Sequence, residues 1–481
     1  MGRVAPALSG VSRDGLEGTS CKEKNLIARI AAAEARLPVR QSLPADANSA
    51  SQRTIADSHA VGGRVVLLQG PVGPFFKHLQ RTLEGGGFSC WRISFNAGDR
   101  LFAPKRNRID FRGSPLLWEL WFRNFLREHS IGFIILFGCN RPIHVVARRL
   151  ADEAGINVLS LEEGYLRPGF VTIEQGGNNS GSPLAGCLPP EGFEPNEDLK
   201  RRDFHGFRSM CLYGGVYYAV RTLFSLPSER HQFHRRFPAI PEAYAWARNV
   251  WRTTANRSSD FQTIETLLEH YERRYFLVVL QVAADMQMGA AARGWSTPKL
   301  IRDALKSFAR SAPKEFRLAF KIHPLQRGHG NERELILREA EAQGIAERVD
   351  IFYTGSVGLI IRHAAGVITI NSSSGLSAIH HGVPLLVIGE ALYANDALAT
   401  SAHGEPDFDA FWTSEKVASA ELRHRYLGWI REKCLKPGDF YARAGISAAC
   451  QGVLEVVSSM AAADGAKESQ SKANVPPRST A

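Results

Sequence analysis

Two adjacent glutamates, Glu162 and Glu163, follow the apolar run 158–161, "VLSL", and precede Gly164. Carboxylates are rare at the end of a buried strand unless a site uses them. If burial or a neighbour raises the pKa of one of them, it can accept or deliver a proton in a reaction. The alternative is a solvated pair in a loop, and the pattern does not distinguish which glutamate would carry the proton.

A serine-rich turn lies in the stretch 368–384, "ITINSSSGLSAIHHGVP", between a β-branched strand and a helix. It contains Asn371, Ser372, Ser373, Ser374 and Gly375. Hydroxyl groups together with free N–H groups at a helix N-terminus bind phosphate. An ordinary N-cap, the alternative, needs one serine rather than three and an asparagine. The turn therefore predicts phosphate binding.

A third cluster, Lys321 and His323, ends the predicted strand in "LAFKIHPLQRG". The alternation of a strand puts the two side chains on one face, just before Pro324. A cation and a ring N–H on one face favour binding of a phosphate. A lone histidine is more often structural.

Other polar residues follow further predicted strands. Asp285 stands past the strand in "VVLQVAADMQM" and is either a helix cap or a catalytic carboxylate. The turn in "LQGPVGPFF" is neither G-x-G-x-x-G nor a Walker A loop, so an ordinary tight turn is its alternative. The remaining candidates for a cleft are Gln69, Gly70, Asp99, Arg167, Gln281 and Gln287. No cluster resembles a metal cage, and we expect neither a metal nor a cofactor.

The elements that would position these residues alternate short apolar runs with helices, which is typical of α/β folds with parallel sheets. Two such halves predict two Rossmann-like domains, and ligands of such sheets bind outside the carboxyl ends of the strands. We expect five segments: a loose tail with one helix (1–60), a first domain (61–200), a basic helical linker (201–270), a second domain with terminal helices (271–460), and a disordered tail (461–481).

Composition narrows the class of protein. The chain has 481 residues, 44% of them hydrophobic, and a net charge of +11, which favours anionic partners. Its seven cysteines are scattered, which argues against a disulfide scaffold or a zinc site. No apolar run of about 18 residues and no signal sequence is visible, so we expect a soluble or peripheral protein.

The motifs, in order, resemble the capsule polysaccharide biosynthesis and export proteins of the KpsS/LipB type. They also share their order with bacterial sialyltransferases that use CMP-activated sugars. The matching stretches are "LLQGPVGPFF", "FNAGDRLF", "LEEGYLRPGFVTIE", "LQVAADMQM", "KIHPLQRG" and "TINSSSGLSAIHHGVP". The resemblance implies a GT-B-like fold and transfer of Kdo, an acidic sugar, from CMP-Kdo to a lipid-linked acceptor at the cytoplasmic face of the inner membrane.

The resemblance also implies residue roles. Glu162 or Glu163 matches the general acid/base, and Asp285 matches the nucleophile proposed for retaining β-Kdo transferases. His323 with Lys321, and the serines 372–374, match groups that hold the CMP phosphate. If Asp285 is only structural, one of the two glutamates would deprotonate the acceptor for direct inversion. Both stereochemical outcomes remain open.

The implied partners are the CMP-sugar, an anionic lipid-linked acceptor such as phosphatidylglycerol, the inner membrane and other capsule assembly or export proteins. The basic, aromatic middle segment suits a membrane surface, or else is a solvated linker. Nucleic acid is not expected, because no recognition module is visible. The alternatives to a Kdo transferase are a non-catalytic assembly factor with the same fold, a sialyltransferase, and a sugar-nucleotide epimerase. The last is disfavoured because the helix after the serines begins without an acidic residue.

Overall fold

A computed structural model describes residues 63–196, 203–231, 239–282, 286–326, 328 and 330–473. These residues belong to one unit of the chain, His59–Ala481. The predicted N-terminal tail with its helix, and the candidate Asp285, lie outside the described residues.

The first domain begins with short apolar runs that form strands buried on both faces, with amphipathic helices covering them. Its strands are β1 (Arg64–Leu67), β2 (Ser89–Ser94), β3 (Arg108–Asp110), β4 (Phe133–Phe137), β5 (Asn157–Glu163) and β6 (Phe170–Gln175). Its helices are α1 (Phe75–Gly85), α2 (Ala97–Leu101), α3 (Trp118–Glu128) and α4 (Pro142–Ala154). Pro142 starts α4 and the left-handed Gly155 ends it, which are the usual places for these residues.

The middle of the chain is helical, as the sequence predicts. Its helices are α5 (Phe207–Phe224), α6 (Ala239–Ala255) and α7 (Arg257–His270). Helix α5 packs on the first domain, where the Tyr217 hydroxyl donates to a buried carboxylate of α2, Asp99, at 2.9 Å. This helix is therefore attached to the first domain and is more than a linker.

The second domain repeats the pattern of the first. Its strands are β7 (Tyr275–Val279), β8 (Arg317–Lys321), β9 (Val349–Phe352), β10 (Gly366–Thr369), β11 (Leu385–Val387) and β12 (Thr400–Ser401). Its helices are α8 (Thr297–Ser311), α9 (Glu332–Ala342), α10 (Val357–Arg362), α11 (Ser374–His381) and α12 (Phe408–Phe411). Helix α13 (Ala420–Cys434), strand β13 (Leu435–Pro437) and helix α14 (Arg443–Ala473) follow.

The strand order defines the fold. The first sheet runs β13-β6-β5-β4-β1-β2-β3, and the second runs β12-β11-β10-β7-β8-β9. Strands β1 to β5 are parallel, β6 is antiparallel to both β5 and β13, and the second sheet is wholly parallel. In each sheet the order reverses beside the first strand of the domain, as in a Rossmann fold. The prediction of two Rossmann-like domains in a GT-B-like architecture is confirmed.

The C-terminal elements belong to a different domain from the one predicted for them. Strand β13 pairs with β6, and α14 packs on the first sheet rather than on the second domain. Helix α14 also continues to Ala473, beyond the expected border at 460. The reason is a helical stripe of apolar side chains that covers the first sheet: Ile446, Ala449, Cys450, Val453 and Val457.

One helical segment among the described residues, Arg443–Ala466, is long and apolar enough by length and composition to cross a membrane. No such segment was expected from the sequence, because no uninterrupted apolar run reaches about 18 residues. Because its apolar stripe belongs to the core of the first domain, it fits a core helix.

Candidate functional site

The point where the strand order reverses in the first sheet lies between the ends of β1 and β4. Arg141, at the start of α4, spans it and donates to the Gln69 side chain at 3.1 Å and to the Gly70 carbonyl at 3.3 Å. Gln69 is buried, and a Cβ on Gly70 would lie 2.7 Å from the Phe76 ring. The turn after β1 is therefore tightly packed at the edge where ligands of such sheets bind.

The equivalent point in the second sheet lies between β7 and β10. The Gln281 side chain donates to the Asn371 side chain at 2.8 Å and accepts from the Asn371 backbone N–H at 3.2 Å. Asn371 is only 1% exposed. This pair fixes the start of the serine-rich turn.

The two reversal points meet across the domain boundary. Asn140 of the first domain donates to the Gln287 side chain at 3.2 Å, and Asn371 donates to the Gln287 carbonyl at 2.8 Å. Asn179 donates to the Asn371 carbonyl at 3.1 Å and accepts from the Leu392 N–H at 2.9 Å. The carboxyl ends of both sheets therefore face one shared site, where the predicted cleft residues Gln281, Gln287 and Asn371 come together.

A buried tyrosine, Tyr393, fixes the position of the serine-rich turn. The Tyr393 hydroxyl donates to the Ser372 carbonyl, and a Cβ on Gly375 would lie 2.2 Å from the same hydroxyl. The Ser372 hydroxyl accepts from the Ser374 backbone N–H at 3.3 Å. Ser373 occupies the N-cap position of α11 but makes no capping bond, and its side chain is exposed. Its hydroxyl is thus presented to the surface at a helix N-terminus, as a phosphate-binding turn requires.

Lys321 and His323 occupy different environments. Lys321 is 4% exposed, and its ammonium donates to the Tyr353 carbonyl at 2.6 Å. His323 lies two residues beyond the end of β8, with an exposed side chain. Lys321 is therefore bound to a backbone carbonyl inside the domain, whereas the His323 side chain lies at the surface. The phosphate cradle expected of this pair stays a prediction.

Glu162 and Glu163 point to opposite faces of β5. Glu162 lies near Cys139 and Tyr165; burial raises the pKa of both groups, and the charge of Glu162 raises each further. Glu163 lies near Arg167 and Asp439 and shares a hydrogen bond with Tyr441. Burial raises the pKa of Glu163, Arg167 lowers it and Asp439 raises it further. Burial therefore keeps Glu163 protonated to a higher pH than an ordinary glutamate, which makes it a candidate for proton exchange.

A third carboxylate, Glu174 on β6, was not predicted. It is 5% exposed and accepts from the Tyr165 hydroxyl at 2.5 Å, the Cys434 thiol at 3.3 Å and the Ser182 hydroxyl. Burial raises its pKa. These bonds fix the loop after Glu163 to β6 and to the end of α13, so Glu174 has a positioning role.

Asp99, a predicted cleft residue, has a structural role instead. It is 3% exposed and accepts from the Phe95 N–H at 3.0 Å, the Asn96 side chain at 3.1 Å and the Tyr217 hydroxyl. These bonds hold the first turn of α2 against α5.

A groove with a volume of about 900 Å³ lies between the loop after β5, the start of α10, and helices α11 and α13. Arg167, Ser373 and Ser374 all line it, so it joins two segments that the sequence predicted for one site. Gln281, Lys321, His323 and Asn371 do not. We call it the basic groove, because its lining includes Arg167, His380, His381, Arg423, His424 and Arg431.

Comparison with known proteins places the chain in a family. The family model described as "Capsule polysaccharide biosynthesis protein" matches residues 133–441, more than half of the chain. The chain belongs to this family. The matched region begins at β4 and ends at Tyr441, so it contains both glutamates, the serine-rich turn and the basic groove.

Relatives within the family include the capsule polysaccharide export protein KpsS of Escherichia coli, 32% identical over 376 residues, with 77% of this chain and 95% of the relative covered. The capsule polysaccharide modification protein LipB of Neisseria meningitidis serogroup A is 28% identical, with 79% and 92% covered. The solved structure of the β-Kdo 2,7 transferase KpsC of Thermosulfurimonas dismutans is 13% identical, covers 82% of this chain and 99% of that one, and has a TM-score of 0.39. At that score the likeness gives no evidence on activity.

Acidic side chains elsewhere in the family region have structural partners. An Asp-x-Asp sequence is present at Asp407 and Asp409. Asp407 caps α12 through the Ala410 N–H at 2.9 Å, and Asp409 accepts from Ser307 and Arg310. Among the described residues, no group of three or more His, Cys, Asp or Glu is placed to hold a metal ion.

The sequence reasoning missed several residues, although signals for some were present. In α13, the lining residues recur at positions 420, 423, 424, 427, 428 and 431, which is one face of a helix. The pair His380 and His381 stands within the quoted serine motif. Asn140 and Asn179 carried no such signal, because their role depends on contacts between the domains.

Proposed function

We propose that this protein is a glycosyltransferase that moves Kdo from CMP-Kdo to a lipid-linked acceptor at the cytoplasmic face of the inner membrane. The observation that carries the proposal is the meeting of the two strand-order reversal points through Asn140, Gln287 and Asn371. A sugar-nucleotide transferase needs its donor and acceptor groups at one such edge. Membership of the capsule polysaccharide biosynthesis family supports a sugar substrate.

In this reaction the bond between the anomeric carbon of Kdo and the CMP phosphate oxygen breaks, and a bond to an acceptor hydroxyl oxygen forms. The acceptor proton passes to a carboxylate, for which Glu163 is the better placed of the pair. The serine-rich turn and His323 would stabilise the charge on the departing phosphate. If Asp285 first attacks the sugar, the outcome is retention; otherwise it is inversion. We propose retention, with no metal involved.

Helix α5 suits a peripheral contact with the membrane. Five of its side chains are apolar and at least 40% exposed: Phe207, Leu212, Val216, Leu223 and Phe224. The helix contains two arginines and no acidic residue. An exposed apolar face without acidic groups favours the interface of an anionic bilayer. We propose that this face brings the site to its lipid acceptor and to other capsule assembly or export proteins.

The second candidate is a non-catalytic factor in capsule assembly or export. The name of the Escherichia coli relative, capsule polysaccharide export protein KpsS, favours it. It predicts no CMP release and tolerance of substitutions in the site. A transferase specific for CMP-sialic acid is a third candidate.

The test is CMP release from freshly generated CMP-Kdo with phosphatidylglycerol as acceptor, with CMP-sialic acid in parallel. We expect lipid-dependent release from CMP-Kdo, abolished by Glu163→Gln, Asp285→Ala and His323→Ala. Glu269→Gln, at an exposed position on α7, is the matched control. No turnover with either donor, from protein shown to be folded, would favour the assembly role.

A further inference from the structure

The turn that follows β13, residues 438–442, lies beside the end of β5. Strand β13 pairs with β6 and β6 pairs with β5, and the register places Lys436 opposite Val171 and Val171 opposite Glu163. The N–H of the first residue of the turn donates to the Gly169 carbonyl at 3.0 Å, which ties the turn to the loop between β5 and β6. The C-terminal part of the chain is therefore brought to the carboxylate that the proposed reaction uses.

Packing and hydrogen bonds hold the turn after β13 in place. The Asp439 carboxylate accepts from the Tyr441 N–H at 2.7 Å and from the Ala442 N–H. The Phe440 ring is fully buried and packs edge-on against the Phe75 ring, with the ring centres 4.7 Å apart. The Tyr441 side chain is 9% exposed and belongs to the same core. The Tyr441 hydroxyl is therefore carried by a fixed backbone and a packed ring.

The Tyr441 hydroxyl is a donor to Glu163. The two side chains share a hydrogen bond. Burial and the negative charges of Glu163 and Asp439 raise the pKa of Tyr441 well above its ordinary value, so the hydroxyl keeps its proton. An ionised carboxylate can only accept, so the phenol donates in this pair. The bond is therefore charge-assisted, and stronger, whenever Glu163 is ionised.

Groups from separate parts of the chain act on the Glu163 carboxyl in opposite directions. Burial raises its pKa, the positive charge of Arg167 lowers it, the negative charge of Asp439 raises it, and the hydrogen bond from Tyr441 lowers it. Arg141, at the start of α4, acts in turn on Tyr441, whose pKa it lowers. Without the Tyr441 hydroxyl, burial would keep Glu163 protonated to a still higher pH. A protonated carboxyl cannot serve as a general base.

We propose that Tyr441 is a positioning residue that orients the Glu163 carboxylate and keeps it able to accept a proton. In the proposed transfer, the acceptor oxygen forms its bond to the sugar as its proton passes to Glu163, while the Tyr441 proton stays on the phenol. The proposal rests on the proposed function and adds to it the group that controls the proton acceptor. The alternative is a tyrosine that only fills the core, and the experiment distinguishes the two.

The first measurement is the titration of the Glu163 carboxyl in the full chain, without donor or acceptor. Carbon-13 NMR of protein labelled at the glutamate carboxyl carbons reports it, and Glu163→Gln identifies its signal by removing it. We expect Tyr441→Phe to move the midpoint to higher pH, because a hydrogen bond to the ionised form is lost. Asp439→Asn should move it to lower pH, because a negative charge is removed while an oxygen remains to accept the bonds of the turn.

The second measurement is the pH–rate profile of CMP release. At a pH well above the midpoints, Glu163 is ionised in wild type and in Tyr441→Phe, so a remaining loss of rate reports the position of the carboxylate. We expect Tyr441→Phe to lower kcat there about tenfold with KM unchanged, the effect of one charge-assisted hydrogen bond. Its acidic limb should move in the same direction as the titration. Tyr244→Phe, at an exposed tyrosine of α6, is the matched control and should change neither measurement.

Opposite movements of the midpoint in Tyr441→Phe and Asp439→Asn, together with the loss of kcat in Tyr441→Phe, support the proposal. An unchanged midpoint in folded Tyr441→Phe would overturn it, and so would a wild-type kcat of that variant at high pH. Lower thermal stability with an unchanged titration would assign Tyr441 to the core alone. If folded wild type releases no CMP, the transferase proposal fails, and the titration by itself decides whether Tyr441 controls the Glu163 carboxyl.

Discussion

At the scale of single residues, side chains alternate between the two faces of β5, and this places the two neighbouring glutamates in different surroundings. Glu163 shares a hydrogen bond with Tyr441 and neighbours Arg167, whereas Glu162 lies on the side of Cys139. The two carboxyl groups therefore have different neighbours, and Glu163 is the one beside Arg167, which lines the basic groove.

Glu163→Gln should lower kcat of the proposed transfer by about 10²-fold or more, the usual contribution of a general base. Because burial raises the pKa of Glu163, the basic form is lost as pH falls through a value above the ordinary glutamate range. We expect an acidic limb in the pH–rate profile that is present in wild type and in Glu162→Gln and absent in Glu163→Gln. If Glu162→Gln alone removed that limb, the assignment would be reversed.

The sequence predicted which residue types matter at this scale, but not their partners. Lys321 and Asp99 stand at strand ends like the other candidates, yet their bonds go to the Tyr353 carbonyl and to α2 and α5. Glu174 gave no signal, because its four donors, Tyr165, Asn178, Ser182 and Cys434, surround it only in the folded chain. Type and spacing cannot distinguish a ligand-binding charge from one that the fold neutralises.

At the scale of elements, the serine-rich turn depends on the contact between Gly375 and Tyr393. Tyr393 is buried, and its hydroxyl fixes the Ser372 carbonyl. Glycine is required at 375 because a side chain would occupy the space of that hydroxyl. The turn and α11 are thus positioned by a residue 18 positions further along the chain.

Gly375→Ala should lower the free energy of unfolding by about 1–3 kcal/mol, as overpacked sites do, and should weaken CMP binding because the turn must shift. Gly465→Ala, in α14 where no described residue outside the helix's own backbone lies within 4 Å of an added Cβ, should leave stability unchanged or slightly higher. Urea unfolding and CMP titration of both variants measure this. Unaltered stability and CMP affinity in Gly375→Ala would show that Tyr393 does not hold the turn.

At the scale of the whole molecule, the apolar helix α14 completes the first domain. Val453 and Val457 are fully buried in the core that includes Val65 and Phe133. The helix is therefore needed to cover a sheet whose first strand lies nearly 400 residues earlier in the sequence.

Val453→Asp should unfold the first domain or lower its thermal midpoint strongly, because an unpaired charge in a core costs several kcal/mol. Ser459→Asp, at an exposed position of the same helix, should have little effect. Thermal unfolding in detergent-free buffer tests both. If α14 crossed a bilayer rather than covering the first sheet, Val453→Asp would leave the thermal midpoint of the protein in buffer unchanged.

Strands β1, β2, β4, β5 and β7 to β11 could be predicted, because each is an apolar run bounded by turn residues. The short strands β3 and β12 could not, because "RID" and "TS" contain no such run. The pairing of β6 and β13 could not, since it joins segments about 260 residues apart. Neither could the return of α14 to the first sheet, because an apolar stripe indicates that a helix is buried and not which surface buries it. In both cases the prediction fails because the contact joins segments that are far apart in the sequence.

Since β13 and α14 belong to the first sheet, the polypeptide passes between the domains twice, once between α5 and β7 and once through α13. A chain cut once in the first passage would give two fragments, and the later one would still carry a strand and a helix of the other fragment's sheet. We expect the two fragments to associate without a covalent link, because each contributes strands or helices to the same sheet and core. The protein could then be assembled from two separately synthesised halves.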